Sequence, residues 1–289
     1  MGSIQPDPAP KRVVIAGGAQ GIGRALARVL LETGHWVYIF DINEGELNHT
    51  VDTHLKQYTN ADPPKLRANV CDMRDEKAIK TTIANASQFF QHNIDVLVNM
   101  GGISTPQWKE GATMEDEATL GQWRAFMDTN LTAPFIISQC CIPYMKIQEG
   151  TTKGDKATAQ DLSLAGPCII HIGSFRAHQS DPNQEGYAAS KAGLLGLMQA
   201  MSISCERWGI RVNLVAPGRI KVAHESKQGD EEGKGWEEQV SEGDIDMHPV
   251  NRAGRPADVI EAVMYLMNAG FVTGVDITVD GGALRKKNK

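Results

Sequence analysis

The chain has 289 residues, of which 41% are hydrophobic and 22% charged, and its net charge is −6 at pH 7. This length suits one α/β domain with a large core, and the acidic balance argues against a broad basic face for nucleic acid. No apolar run reaches the roughly 18 residues of a membrane span. The five cysteines form no CxxC pair, so they predict neither a zinc site nor a disulfide framework, and a reducing, cytoplasmic location is the simplest expectation.

The N-terminal residues 1–10 are polar and contain three prolines, and we expect them to be disordered. Residues 11–289 then alternate strands and helices in one domain. Short apolar, β-branched runs predict strands at Arg12–Ala16, Trp36–Phe40, Lys65–Asn69, Asp95–Asn99, Cys168–Ile172, Arg211–Ala216 and Asp276–Val279. Helical spacing predicts helices at Gly21–Thr33, Glu44–Tyr58, Asp75–Phe90, Leu120–Met145, Gly186–Trp208 and Pro256–Met267. This alternation predicts a single doubly wound, Rossmann-type α/β domain with a central parallel sheet of about seven strands.

Three features interrupt this pattern. Pro134 lies inside the long predicted helix and is expected to kink it. Residues Glu149–Gly166 are predicted to be a surface insertion. The stretch Lys221–Pro249 is long, acidic and glycine-rich, and a loop of this length in a compact domain is usually functional or disordered.

A glycine-rich turn follows the first predicted strand and reads Ala16-Gly17-Gly18-Ala19-Gln20-Gly21-Ile22-Gly23. Glycines between a strand and a helix let the backbone approach a pyrophosphate, and the helix N-terminus supplies free N–H groups and a favourable dipole. A tight turn with no ligand is the alternative. The flanking strand and helix favour the dinucleotide site.

Two carboxylates follow predicted strands on the same side of the sheet. Asp41, after the second strand, could accept hydrogen bonds from the adenosine ribose and would repel a 2′-phosphate, which favours NAD over NADP. Asp72, after the third strand, could bond the adenine amine. Either residue could instead serve as a helix cap or turn residue.

The segment Tyr187-Ala188-Ala189-Ser190-Lys191 makes the chain resemble the short-chain dehydrogenase/reductase family over about residues 11–282. Matching motif residues are Gly17, Gly21 and Gly23 in the glycine turn, Asn99 and Gly102 after the fourth strand, Asn130 in the long helix, Ser174, Pro217-Gly218, and Asp280-Gly281-Gly282. The chain departs from the family's usual residues at Ala16, Met100 and Val222. These departures put local hydrogen bonds in doubt rather than the reaction class.

The resemblance implies that Ser174, Tyr187, Lys191 and Asn130 are the catalytic residues. It also implies a bound NAD, with NADP as the alternative, and no metal. The cofactor-binding residues would be Gly17, Gln20, Gly21, Ile22, Gly23, Asp41, Asp72, Asn99, Gly101, Tyr187, Lys191, Pro217, Gly218 and Ile220. Tyr187 and Lys191 share one helix face at a spacing of four residues, so an ammonium there can stabilise a phenolate. Ser174 would bind the substrate oxygen, and Asn130 would hold a water that links Lys191 to solvent.

The substrate is less constrained. Arg176 and His178 follow Ser174 and suggest a hydroxylated or anionic substrate, unless both point to solvent. The stretch Lys221–Pro249 resembles the family's substrate lid, and its acidic composition, with few apolar residues besides Trp236, favours a polar substrate over a lipid. We therefore expect hydride transfer between NAD(H) and a polar secondary alcohol or ketone, such as a sugar, polyol or small ketone.

Other functions fit the same sequence. These are a reductase or dehydrogenase of a secondary-metabolite ketone with NADP(H), a sugar epimerase or dehydratase, and a non-catalytic NAD-binding protein. The intact Ser174, Tyr187 and Lys191 argue against the last. The expected partners are a small-molecule substrate and, from the family resemblance, further copies of the chain in a homotetramer or homodimer, with neither nucleic acid nor membrane.

Overall fold

A computed structural model describes residues 10–145 and 165–286. Its centre is a parallel sheet of seven strands in the order β3-β2-β1-β4-β5-β6-β7. The strands are β1 Arg12–Ala16, β2 Trp36–Asp41, β3 Leu66–Val70, β4 Val96–Asn99, β5 Cys168–Ile172, β6 Arg211–Pro217 and β7 Asp276–Val279. This arrangement confirms the predicted Rossmann-type α/β domain, and each strand end lies within one residue of its predicted position.

The middle strands form because most of their residues are apolar on both faces. All residues of β4, β5 and β6 are buried, and β1 pairs with β2 on one side and β4 on the other. Strands covered on both faces read as continuous apolar runs rather than as alternating ones. The strand order reverses between β1 and β4, and ligands of such sheets bind at this reversal, beyond the carboxyl ends of the strands.

Helices cover both faces of the sheet. They are α1 Gly21–Glu32, α2 Glu44–His49, α3 Lys56–Thr59, α4 Glu76–Phe89, α5 Thr119–Met127, α6 Ala133–Met145, α7 Glu185–Ser204, α8 Lys227–Glu232, α9 Glu242–Asp246 and α10 Pro256–Asn268. One apolar core lies between the sheet and α4, α6 and α7. A second lies between the sheet and α1 and α10.

The long central helix is irregular in the turn before its predicted kink at Pro134. The chain stays helical through this turn, and because Pro134 lacks the N–H that would bond to the carbonyl of Asn130, the turn is the π-helical segment Asp128–Thr132. A π-helical segment often marks a functional site, and this one contains the buried Asn130. A second π-helical segment, Thr50–His54, divides the predicted helix Glu44–Tyr58.

The predicted lid, Lys221–Pro249, has more regular structure than its composition indicates. It contains α8, a 3₁₀ turn at Glu237–Gln239 and α9, and Ser226 and Ser241 cap its two short helices. The predicted tail lies almost wholly, and the predicted insertion largely, outside the described residues. Among the helices that the structure does describe, none is both long and apolar enough to cross a bilayer.

Candidate active site

A cavity of about 1030 Å³ opens beyond the carboxyl ends of the strands, at the reversal between β1 and β4. The residues predicted from the sequence that line it are Gly17, Gln20, Gly21, Ile22, Gly23, Asp41, Asp72, Gly101, Ser174, Arg176, Tyr187, Lys191, Pro217, Gly218 and Ile220. Asn99, Asn130, His178 and Trp236 do not line it. The fold therefore brings most of the predicted site to one place, and four predicted residues have other surroundings.

The glycine turn has no room for side chains. A Cβ atom on Gly17 would lie 2.4 Å from Gly101 Cα, and one on Gly23 would lie 2.0 Å from Gly17 O. Gly17 also has a φ of +82°. These contacts hold the turn and the segment after β4 against each other, so backbone forms the cavity floor where α1 begins. A floor of this kind fits the pyrophosphate of a dinucleotide.

The adenosine end of this site carries acidic side chains. Asp41 Oδ2 accepts a hydrogen bond of 3.2 Å from Ala19 N, which holds the carboxylate at the end of β2. Asp72 binds Arg74, and the hydrogen bond from that guanidinium is the main reason that the pKa of Asp72 lies below its ordinary value. Both acids line the cavity with Glu46, which the sequence reasoning missed.

Ser174 and Tyr187 meet at the other end of the cavity. Ser174 ends the strand-to-loop transition after β5, and its side chain caps a 3₁₀ turn by accepting a hydrogen bond from Arg176 N. Burial raises the pKa of the Tyr187 phenol, while its hydrogen bond with Ser174 and the charge of Arg176 act in the opposite direction. The edge of Phe126 packs against the Tyr187 ring at a centroid distance of 6.0 Å. The phenol is therefore fixed in place and keeps its proton at neutral pH.

Lys191 lies one turn after Tyr187 on α7 and is buried. Its Nζ donates a 3.0 Å hydrogen bond to Ile172 O and lies 5.8 Å from the centre of the Tyr187 ring. Burial lowers the pKa of Lys191 to about 8, since the charged form loses solvation. The predicted proximity of phenol and ammonium is thus present in the geometry.

Asn130 does not line the cavity but hydrogen-bonds to Ile103, a residue that does. Its Oδ1 accepts a 2.8 Å hydrogen bond from Ile103 N, and its Nδ2 donates to Ile103 O and to Ser190 Oγ. These bonds fix the loop after β4 next to Lys191. The role in a water relay stays a prediction.

The predicted Asn99 belongs to a buried polar group near Lys191 whose other members, Ser138 and His171, the sequence reasoning did not single out. Asn99 Nδ2 donates to Ser138 Oγ and lies 3.2 Å from His171 Nδ1. Because Ser138 Oγ itself donates to Pro134 O, the Asn99 amide must be the donor, and His171 then carries its proton on Nε2. Burial, with the nearby Lys191 charge, lowers the pKa of His171 to about 3, so the ring is neutral.

The predicted substrate residues divide into one that lines the cavity and two that do not. Arg176 lines it and pairs with Asp181. His178 binds Asp276 of β7 at 2.5 Å. Trp236 donates from Nε1 to Gly254 O, and Arg255 lies 4.2 Å from its ring centre. Gln184, which the sequence reasoning missed, lines the cavity and has a buried Oε1 atom with no hydrogen-bond partner.

A charged cluster joins the start of the lid to α1. Arg24, only 1% exposed, binds Glu225 at 3.0 Å and Asp230 at 2.6 Å. Arg28 also binds Glu225, and His49 binds Asp230. We call this group the lid clasp. Next to it, Gly21 N donates a 2.7 Å hydrogen bond to Glu225 O.

Within the described ranges, no group of three or more His, Cys, Asp or Glu side chains is placed to hold a metal ion. Ser174, Tyr187 and Lys191 line the same cavity.

Comparison with known proteins supports this reading. A family model described as Enoyl-(Acyl carrier protein) reductase matches residues 17–283. An uncharacterized oxidoreductase of Thermotoga maritima is 31% identical over 275 residues, which are 94% of this chain and 95% of that protein. The 3-oxoacyl-[acyl-carrier-protein] reductase FabG of Rickettsia conorii is 31% identical over 276 residues, 95% of this chain and 97% of that protein. A 2,3-dihydro-2,3-dihydroxybenzoate dehydrogenase of Bacillus subtilis is 29% identical over 280 residues, 94% and 95%.

Solved structures of other proteins have the same fold as this chain. The ligand-free aldohexose dehydrogenase AldT of Thermoplasma acidophilum has 26% identity and a TM-score of 0.70, covering 97% of this chain and 96% of that one. The structure of ElxO with NADP bound has 24% identity and a TM-score of 0.74, covering 96% and 100%, and supports the fold alone. Fold, cavity and comparisons lead to one conclusion: the chain belongs to the short-chain dehydrogenase/reductase family of NAD(P)-dependent oxidoreductases.

Proposed function

We propose that the protein transfers a hydride between NAD(H) and a polar secondary alcohol or ketone, with Tyr187 as the proton donor and acceptor. The observation that carries the proposal is the juxtaposition of Ser174, Tyr187 and Lys191 in one cavity with the glycine turn. The nicotinamide would supply or accept the hydride. Gly17, the N-terminus of α1 and the backbone around Gly101 would hold the dinucleotide.

The side chains account for the proton. Ser174 binds the substrate oxygen beside Tyr187, and in reduction the Tyr187 O–H bond breaks as its proton moves to that oxygen while the carbonyl carbon receives the hydride. Oxidation runs the reverse, so Tyr187 must first lose its proton. Since burial raises the pKa of Tyr187, the phenol is ready to act as an acid at neutral pH. Lys191 stabilises the phenolate that reduction leaves behind.

NAD is the proposed cofactor, with NADP as the alternative. Asp41, Glu46 and Asp72 line the adenosine end, and their negative charges disfavour an added 2′-phosphate. Arg74 also lines this end of the cavity, and Asp72 already binds it. Initial rates with both cofactors compare the two directly.

The substrate is proposed to be polar because charged and amide side chains line its end of the cavity. Arg176, Gln107 and Gln184 lie there with Ser104. The relatives include a protein named for a dihydroxylated benzoate and one named for an aldohexose. These names support a hydroxylated substrate.

The decisive experiment is Tyr187→Phe. The variant lacks only the hydroxyl, so it should fold, bind NADH and lose turnover by about 10²–10⁴-fold, the usual contribution of a general acid–base group. Rates follow NADH absorbance over a panel of alcohols and ketones. Tyr265→Phe removes an exposed hydroxyl on α10 and is the matched control.

Each outcome separates the candidate functions. Near-wild-type turnover by Tyr187→Phe would refute the proton-transfer role. NAD binding by the wild type with no turnover of any alcohol or ketone would favour the non-catalytic NAD-binding function. NAD that stays bound through purification would favour the epimerase.

We also propose a homotetramer in a reducing, cytoplasmic setting. Helices α5 and α6 expose Leu120, Trp123 and Phe135, apolar side chains that a second copy would cover. All five cysteines are free thiols, as a reducing compartment allows. Light scattering should give a mass of four chains, and a monomer would remove the assembly claim.

A further inference from the structure

We propose that the substrate is a hydroxylated carboxylate, such as a dihydroxy acid or the matching oxo acid. Arg176 binds its carboxylate, and Gln184 accepts a hydrogen bond from a second hydroxyl, one that does not react. This inference rests on the proposed hydride transfer, because it names the substrate class of the same Ser174–Tyr187 site.

Arg176 is built into the cavity wall. Its side chain is only 10% exposed, lies 4.5 Å from the centre of the Phe175 ring, and follows Ser174 by two residues. Asp181, whose side chain is 51% exposed, meets the guanidinium through Nη2. A guanidinium has five N–H donors in a planar fork that matches a carboxylate. Arg176 can therefore hold a substrate carboxylate while it keeps Asp181.

The charges that line the cavity are separated between its two ends. The acidic lining residues belong to the adenosine end and the lid clasp, and they are Asp41, Glu46, Asp72 and Glu225. At the substrate end the charged lining residues are Arg176, Lys191 and Arg219; Arg176 and Arg219 pair with Asp181 and Asp244, which do not line the cavity, and Lys191 donates to a backbone carbonyl rather than to a carboxylate. A negatively charged substrate is attracted to this end.

Gln184 adds a requirement for a hydrogen-bond donor. Gln184 is 1% exposed and lines the cavity three residues before Tyr187, and its Oε1 atom is buried without a hydrogen-bond partner. A buried acceptor without a donor is unfavourable, and a ligand that supplies the donor removes the penalty. A carboxylate has no donor, whereas a further hydroxyl on the substrate would supply one to Gln184.

The test uses sets of three compounds on one carbon skeleton: a dihydroxy acid, its methyl ester, and the acid that lacks the second hydroxyl. Initial rates with NAD⁺ give kcat and KM for each. We expect the wild type to prefer the acid over the ester by about 10–100-fold in kcat/KM, the range of a hydrogen bond to a charged group. Equal rates for acid and ester would overturn the proposal.

Variants assign the preferences to residues. Arg176→Gln should lose the preference for the acid, mainly through KM, and Arg176→Lys should keep part of it because the charge remains. Gln184→Leu should lose the preference for the second hydroxyl and melt at an unchanged or higher temperature, since it removes an unpaired acceptor. A lower melting temperature would indicate a structural role and overturn this part. The control Arg67→Gln, an exposed cation on β3, should change neither ratio.

A binding experiment separates failure of the inference from failure of the proposed function. Calorimetric titration of the dihydroxy acid and its ester into the NADH-loaded wild type and Arg176→Gln reports recognition without turnover. Tight binding of the acid that depends on Arg176, with no oxidation or reduction of any compound, would retain the recognition and reject hydride transfer. Turnover of neutral alcohols with no effect of Arg176→Gln would retain hydride transfer and reject the anionic substrate.

Discussion

Replacing Lys191 with methionine should remove activity and yet make the cofactor-free protein more stable. Lys191 is buried, its Nζ donates to Ile172 O, and burial alone accounts for its low pKa, with no carboxylate beside it. The fold thus holds a cation in a place that disfavours charge. Methionine has a similar length and no charge, so it fills the same space without this penalty.

The size of the effect follows from the pKa. A change from 10.5 to about 8 corresponds to about 3 kcal/mol at 1.36 kcal/mol per pKa unit. Losing the hydrogen bond to Ile172 O offsets about 1 kcal/mol. A net gain of about 2 kcal/mol remains at pH 7, which raises the melting temperature by about 3 °C for 289 residues at about 2.1 cal/mol/K of unfolding entropy per residue.

The pH dependence has a definite sign. Between pH 8 and 10.5 the unfolded state keeps the Lys191 proton and the folded state loses it, so the unfolded state binds more protons and wild-type stability rises with pH. The neighbouring Tyr187 and His171 are neutral at pH 7 and do not offset the cation. The advantage of Lys191→Met should therefore shrink above pH 8 and disappear at about pH 10, where the remaining charge penalty equals the free energy of the lost hydrogen bond.

Thermal denaturation of the cofactor-free proteins, followed by circular dichroism at several pH values, measures this difference. Lys56→Met replaces an exposed lysine and should leave stability within about 0.5 kcal/mol. A Lys191→Met protein that is less stable than wild type at pH 7, or whose advantage grows with pH, would refute the reasoning.

Two further predictions concern the lid clasp and the glycine turn. Glu225→Gln leaves the buried Arg24 with fewer charged partners and should lower the free energy of unfolding by about 2–3 kcal/mol in denaturant titrations. The control Glu231→Gln replaces an exposed acid on α8 and should change the free energy of unfolding by less than about 0.5 kcal/mol. Equal effects of the two variants would show that the lid clasp does not stabilise the fold more than a surface charge does. Gly23→Ala places a Cβ 2.0 Å from Gly17 O, so it should lower the free energy of unfolding by about 1–3 kcal/mol and weaken NADH binding. The control Gly196→Ala, with open space around it on α7, should raise the free energy of unfolding by up to about 1 kcal/mol. Normal NADH affinity in Gly23→Ala would contradict the role of the turn.

The strands could be predicted because burial on both faces of the sheet requires a nearly continuous run of apolar residues in the sequence. Runs such as Cys168–Ile172 are apolar except for His171, and the structure keeps these bounds. The π-helical segment Asp128–Thr132 could not be predicted, since one extra residue in a turn hardly alters apolar periodicity. Its position matters for the site because Asn130 lies within it.

Site residues were predictable where a motif fixes both position and direction. Tyr187 and Lys191 share a helix face, so their proximity follows from spacing alone. For His178 and Trp236 the sequence indicated a position along the chain but no side-chain direction. In the structure His178 binds Asp276, and Trp236 donates to the carbonyl of Gly254. The unpaired oxygen of Gln184 is visible only when all neighbours are placed.

The lid clasp also constrains how the chain acquires its structure. Arg24 and Glu225 are 201 residues apart in sequence, yet the Arg24 side chain is almost fully enclosed. Contacts of such separation form late, because a long loop must close first. During synthesis from the N-terminus, the Arg24 guanidinium of α1 therefore lacks its acidic partners until Glu225 and Asp230 have emerged, whereas Gly17 and Gly101 of the dinucleotide floor are available to meet much earlier.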